Sequence, residues 1–115
     1  MPRVQSDPKI DPATPLFARR LKAARLRSGL SQERLGVVAG VDEFSASARI
    51  NQYERGKHTP DVLTASHLAK ALSVPLAYFW AADDDEAELL RLYHGLPVRW
   101  RKQVLKSVEE MTTVK

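Results

Sequence analysis

The sequence predicts an all-α protein, five short helices followed by a helical hairpin. Three observations carry this. Apolar residues recur three and four positions apart through most of the 115 residues, the spacing that lines up side chains on one helix face. No stretch of useful length alternates apolar and polar residues as a half-buried strand does. Glycines, prolines and N-capping residues fall between the periodic stretches, where helices stop and start.

Residues 1–13 hold three prolines among polar residues and read as a flexible arm. Basic arms can enter a minor groove, but Arg3 and Lys9 are balanced by Asp7 and Asp11. Thr14-Pro15 is a helix start, an N-cap followed by proline at the first helical position. The first helix then runs to Ser28 and stops before Gly29. Phe17, Leu21 and Ala24 form its inner stripe. Leu16, Ala23 and Leu26 make a second, smaller apolar patch, and Arg19, Arg20, Lys22, Arg25 and Arg27 make the helix strongly basic.

Ser31 caps a second helix over residues 32–39, with Leu35, Val38 and Ala39 inward and Gly40 as its end. The third helix lies in Ala46–Gly56, ASARINQYERG, capped by Ser45 or Ser47. Ala46, Ile50, Tyr53 and Glu54 fall on one side. Ala48, Gln52 and Arg55 fall on the other, flanked by Ser47, Arg49 and Asn51. A base-reading helix needs this division: an apolar side on a scaffold and a polar, cationic side for a groove. A solvated surface helix shows the same division.

Asp61 caps a fourth helix over 62–72, with Val62, Ala65, Leu68, Ala69 and Leu72 inward. Leu76 to Ala81, LAYFWA, is a short fifth helix closing the core. The acid run Asp83–Glu86 opens a sixth helix, where negative charge suits the helix dipole. Leu89, Leu92, Tyr93 and Leu96 give it an apolar face. Gly95 and Pro97 separate it from a last helix, residues 98–111, on which Trp100, Val104, Leu105, Val108 and Met111 repeat at helical spacing.

The net charge of +4 is unevenly placed. Residues 1–60 carry eleven Lys/Arg against six Asp/Glu, and residues 61–115 carry seven against eight. An electropositive first half suits an anionic polymer, although it also describes a merely basic surface. The absence of cysteine excludes disulfides and thiolate zinc sites. No signal-like apolar run opens the chain, and no segment approaches a membrane span. The expectation is a cytoplasmic protein.

The second and third helices make a helix-turn-helix candidate, and their neighbours match too. GLSQ at Gly29–Gln32, YERGK at Tyr53–Lys57, Pro60, and LAKALSVPL at Leu68–Leu76 together resemble the DNA-binding domain of the phage repressor and Cro family, also called the XRE family. The resemblance covers residues 17–80. It implies a five-helix domain, residues 14–82, whose third helix lies in the major groove of double-stranded DNA. Family positions that touch bases fall on Ser47, Ala48, Arg49 and Gln52. The position that holds a phosphate falls on Gln32. Arg55 and Lys57 in the following turn face the backbone, and Asn51 is assigned with them. A family ion pair maps onto Arg25 and Glu54.

One departure stands out. The family has a tight turn between its second and third helices, whereas about four extra residues sit here, around DEFSA. They lengthen the loop or add an early turn to the third helix. Asp42 and Glu43 are unfavourable near phosphates. Phe44 is expected to anchor the loop on the core, the other use being a wedge between bases.

Other residues invite blander readings. His58, His67 and His94 are scattered without partners at ligand spacing, so no metal is expected. Asp83–Glu88 lacks the spacing and glycine of a calcium loop. Trp80 and Trp100 belong to core or interface. No nucleophile–base grouping or phosphate-binding glycine loop supports an enzyme, and no cofactor is implied. The expected function is a transcriptional regulator, a repressor binding a palindromic operator as a homodimer. Residues 83–115 would serve as its dimerisation or effector element, or as the docking site of a protein partner. The alternatives are the antitoxin of a toxin–antitoxin pair and an interaction adaptor that lost DNA binding.

Overall fold

A proline and a glycine frame the first helix. In the computed structural model, which describes residues 14–113, α1 runs Leu16–Ser28. Its cap is Pro15 rather than Thr14, and no side chain bonds the first turn. The ring pre-sets φ for helix entry, and the Pro15 carbonyl accepts from the Arg19 N–H at 3.1 Å. Phe17, Leu21 and Ala24 are buried as the spacing predicts, and Ala18 and Arg20 join them. The arm expected over residues 1–13 lies outside the described residues.

Ser31 caps α2, Gln32–Val38, by accepting from the Arg34 N–H at 3.0 Å. Leu35 and Ala39 are buried, but Val38, expected inward, is exposed. Gly36 explains the difference. A Cβ there would lie 2.7 Å from Ala46 Cβ, so the missing side chain admits the next helix. The contact face of α2 is therefore centred on Leu35 and Gly36, which turns Val38 outward.

That next helix, α3, spans Ala46–Glu54 and buries Ala46, Ile50, Tyr53 and Glu54, the four residues that spacing puts on one side. The extra residues form a turn in front of it, with the Ser45 N–H donating to the Asp42 carbonyl at 3.0 Å. Ser45 holds the cap position, but its hydroxyl donates back to the Asp42 carbonyl and makes no cap bond. Ser47 lies inside the helix and does not cap it either. Phe44 corrects a larger expectation. It does not anchor the loop on the core but is 92 % exposed. It lies in the turn two residues before α3 begins, where no core residue covers it. At the other end Gly56, at φ 76°, brings the chain against Pro15, whose Cδ would lie 2.6 Å from a Cβ at this position.

Asp61 caps α4, Val62–Ala71, by accepting from the Thr64 N–H at 2.8 Å. Its buried face begins at Ala65 and continues through Leu68, Ala69 and Leu72. Val62, expected inward, sits in the first turn beyond the edge of this face and is exposed. The aromatic segment is a 3₁₀ helix, Leu76–Trp80, opened by Pro75. It closes the core with Phe79, whose ring centroid lies 4.8 Å from that of Phe17. Trp80 packs on Phe17 at 5.1 Å from the rim.

Two further helices complete the fold, α5 (Asp84–His94) and α6 (Val98–Thr113). α5 packs on the 3₁₀ helix and contributes Ala87 and Leu90 to the core cluster. Leu89 and Leu92, two residues of its expected apolar face, remain exposed. A latch sets this rotation. The buried Arg20 guanidinium donates to the Ala81 carbonyl at 2.8 and 3.1 Å and to Asp84 at 2.8 Å. Arg101 holds α6 to the end of α5: its Nε donates to the Leu96 carbonyl at 3.0 Å, and its guanidinium stands over the Tyr93 ring. No residue of α6 is buried, and Leu26 stays exposed, so α6 does not bury the second patch of α1. No helix among the described residues is long and apolar enough to cross a membrane.

Candidate nucleic-acid interface

The apolar side of α3 lies on α1 and α2, which leaves its polar side in water. Ser47, Ala48, Arg49 and Gln52 are all exposed, and Asn51 is half-buried at the edge of this face. Arg55 and Lys57 follow, exposed around the turn at Gly56. The outward strip thus presents hydroxyl, methyl, guanidinium and amide groups, the types that read base edges, and then two cations.

A polar network fixes how this face is presented. Arg25 Nε donates to Glu54 Oε2 at 2.5 Å and Nη2 to Oε1 at 3.1 Å, while Nη1 donates to the Leu30 carbonyl at 2.9 Å. The side chains of this ion pair are only 11 % and 3 % exposed. A carboxylate so deeply buried needs both charge and hydrogen bonds, and this fork supplies them. Gln32 extends the network from α2. Its Nε2 donates to Glu54 Oε1 at 3.1 Å and to Asn51 Oδ1 at 3.3 Å. The three helices are therefore cross-linked at one point, immediately behind the exposed strip.

This geometry redistributes donors among the residues assigned to phosphate. Both amide hydrogens of Gln32 point at protein oxygens, so its remaining donor is its backbone N–H, a first-turn N–H of α2 that the Ser31 cap, bonded to Arg34, leaves unbonded. Asn51 gives its oxygen to Gln32, which leaves its Nδ2 donors directed away from that bond. A shallow cleft between α3 and the start of α4 adds His58, Thr59 and Thr64 to Arg49 and Gln52. These three belong to a turn and a helix start, outside the residues that family motifs and helical spacing single out. Asp61 rims the same cleft, and its bond from the Thr64 N–H holds its carboxyl below the usual carboxylate range.

Arg20, one of the five cations that make α1 basic, is buried and belongs to the latch on α5 rather than to this face. Its place in the sequence, three residues after Phe17 and next to Leu21 on the inner stripe, points to this burial. Among the described residues no group of three His, Cys, Asp or Glu could hold a metal ion.

Comparison with known proteins agrees with this architecture. A family profile described as helix-turn-helix matches residues 21–79. The chain is 33 % identical over 67 residues to YgzD of Bacillus subtilis (strain 168), an HTH-type transcriptional regulator, covering 57 % of this chain and 96 % of YgzD. It is also similar to the crystal structure of the transcriptional regulator BswR, with 46 % identity and a TM-score of 0.75, over 81 % of this chain and 92 % of BswR. The chain belongs to the helix-turn-helix family of repressor/Cro type, and it is a DNA-binding transcriptional regulator, not an enzyme.

Proposed function

We propose that this regulator is a cytoplasmic repressor that occupies a palindromic operator as a homodimer. The observation that carries the reading is the α3 strip, solvent-facing on a helix whose position is fixed by the Arg25–Glu54–Gln32–Asn51 network. In this reading Ser47, Ala48, Arg49 and Gln52 read base edges. Arg55 and Lys57 hold the phosphate backbone, with Asn51 through its amide and Gln32 through its backbone N–H. Phosphate contacts set register, and base contacts choose the site.

Residues 14–82 serve as the DNA-binding part and residues 83–115 as the dimerisation element. The apolar face that α5 and α6 leave in water, with Leu89, Leu92, Trp100, Leu105, Val108 and Met111, supports a second copy as its partner. Patches of this kind mark interaction surfaces. Two-fold pairing would set two α3 helices on half-sites one helical turn apart.

Selection of bound sequences from random duplexes tests this. The expected result is an inverted repeat whose half-sites are about one turn apart. A single unrepeated site would overturn the dimer reading, and no preferred sequence would overturn base reading. Placing the selected site across a promoter should lower transcription, and a rise would make the protein an activator.

A further inference from the structure

We infer that Phe44, in the turn before α3, is a further base-contacting residue, one that reads the C5-methyl of thymine in the major groove. The inference rests on the assignment of the α3 strip to bases. It starts from an anomaly of burial. Phe44 is the most exposed large apolar residue described, whereas Phe17 and Phe79 are buried. Leaving a phenylalanine in water forgoes roughly 1.5–3 kcal/mol of burial.

The turn brings Phe44 to the N-terminal end of the reading helix. The Ser45 N–H donates to the Asp42 carbonyl, and the Arg49 N–H donates to the Ser45 carbonyl at 2.9 Å, so the turn runs into α3 without a break. Phe44 therefore stands in the turn two residues before α3, next to the end of the helix that carries Ser47 and Ala48 and ahead of Gln52 and Arg55. All five residues are exposed. The N-terminal residues of a recognition helix are the ones that approach base edges, and Phe44 extends that end.

The neighbours narrow the ligand. Asp42 and Glu43 precede Phe44 and are exposed. Carboxylates are repelled by phosphates, which argues against a backbone role for this turn. Base edges in the major groove offer the apolar contact that a phenyl ring can use, the thymine methyl. Phe44 and Ala48 would then form one apolar reader at the tip of a polar strip.

The test uses the full chain and the duplex selected by the wild-type protein. Phe44→Ala should fold normally, because the side chain is exposed, and should lose about tenfold in affinity for that duplex. Replacing one thymine by deoxyuridine, which removes only the methyl, should cost wild type about fourfold. The same replacement should cost Phe44→Ala nothing, because the two changes remove one contact. Phe44→Leu should keep part of the thymine preference.

Equal weakening of all duplexes by Phe44→Ala would overturn the inference, as would no weakening at all. A duplex bend that wild type produces and Phe44→Ala loses, with no response to deoxyuridine, would make the ring a wedge and also overturn it. A wild-type protein with no preferred duplex would sink the assignment of the α3 strip itself, an outcome visible before any Phe44 variant is measured.

Discussion

Two helices of this protein, α3 and α6, face opposite problems. α3 is nine residues long and buries four of them. α6 is sixteen residues long and buries none. Both are amphipathic. The apolar side of α3 is covered by its own chain, and what remains exposed is polar and cationic. The apolar side of α6 has no such cover, and what remains exposed includes Trp100, Leu105, Val108 and Met111. The difference teaches which side of a helix is spoken for. A polar face left on a rigidly held helix suits a polar ligand such as a DNA groove. An apolar face left on a projecting helix suits another apolar face.

If α3 is held by its buried ion pair, breaking that pair should have the largest effect. Arg25→Ala would strand the Glu54 carboxylate, costing on the order of 3–5 kcal/mol. Arg27, which is exposed and donates to the Tyr78 hydroxyl at 3.2 Å, is the control and should cost about 1 kcal/mol. Thermal melts of the two variants decide it. Equal shifts would mean that the network does not hold α3 in place.

The α6 side of the comparison is broken by charge. Leu105→Glu with Val108→Glu should leave the monomer fold intact, since neither residue is buried, and should abolish dimers in sedimentation. Affinity for a two-half-site operator should fall on the order of a hundredfold with the loss of linked binding. Dimers and affinity that survive the double substitution would assign the α6 face to another partner. Truncation after Ala82 is the poorer test, because it removes Asp84 from the Arg20 latch and Ala87 from the core.

The polar face of α3 is tested next. Gln52→Ala should cost about 1–3 kcal/mol on the preferred site and relax the choice at one base pair in each half-site. Lys57→Ala should weaken all sites alike and flatten the salt dependence, because fewer counterions are released. Binding to matched and single-base-changed duplexes separates the two. If Gln52→Ala leaves the preference intact, Ser47 and Arg49 carry the reading.

The smallest effect lies at the start of α4, beside the α3 strip. The Asp61 carboxyl is held below its usual range, so its capping stabilisation is present above the unfolded value and is lost as pH falls through the folded one. Asn caps about as well as Asp but does not titrate in this range. The melting temperature of Asp61→Asn should therefore match wild type near neutral pH and exceed it slightly in acid. Parallel pH profiles would show that the cap charge is immaterial.

The residue pattern by itself determined the helices, the buried side of α3 and the helix-turn-helix family. These depend on local spacing and capping, and on motifs contiguous in the chain. Ala46, Ile50, Tyr53 and Glu54 can be placed on one side with no knowledge of their neighbours. The tertiary structure decided what depends on two elements meeting. Gly36 admits Ala46 and so rotates Val38 outward. Arg20 finds the Ala81 carbonyl and Asp84, more than sixty residues away, and becomes a latch rather than a surface cation. Gln32 gives its amide hydrogens to Asn51 and Glu54, which leaves its backbone N–H as the remaining donor. Phe44 stands in the turn ahead of α3 and is left uncovered by the core that Ala46 enters. Periodicity gives the angle between two side chains on one helix, but only packing gives the direction in which either of them points.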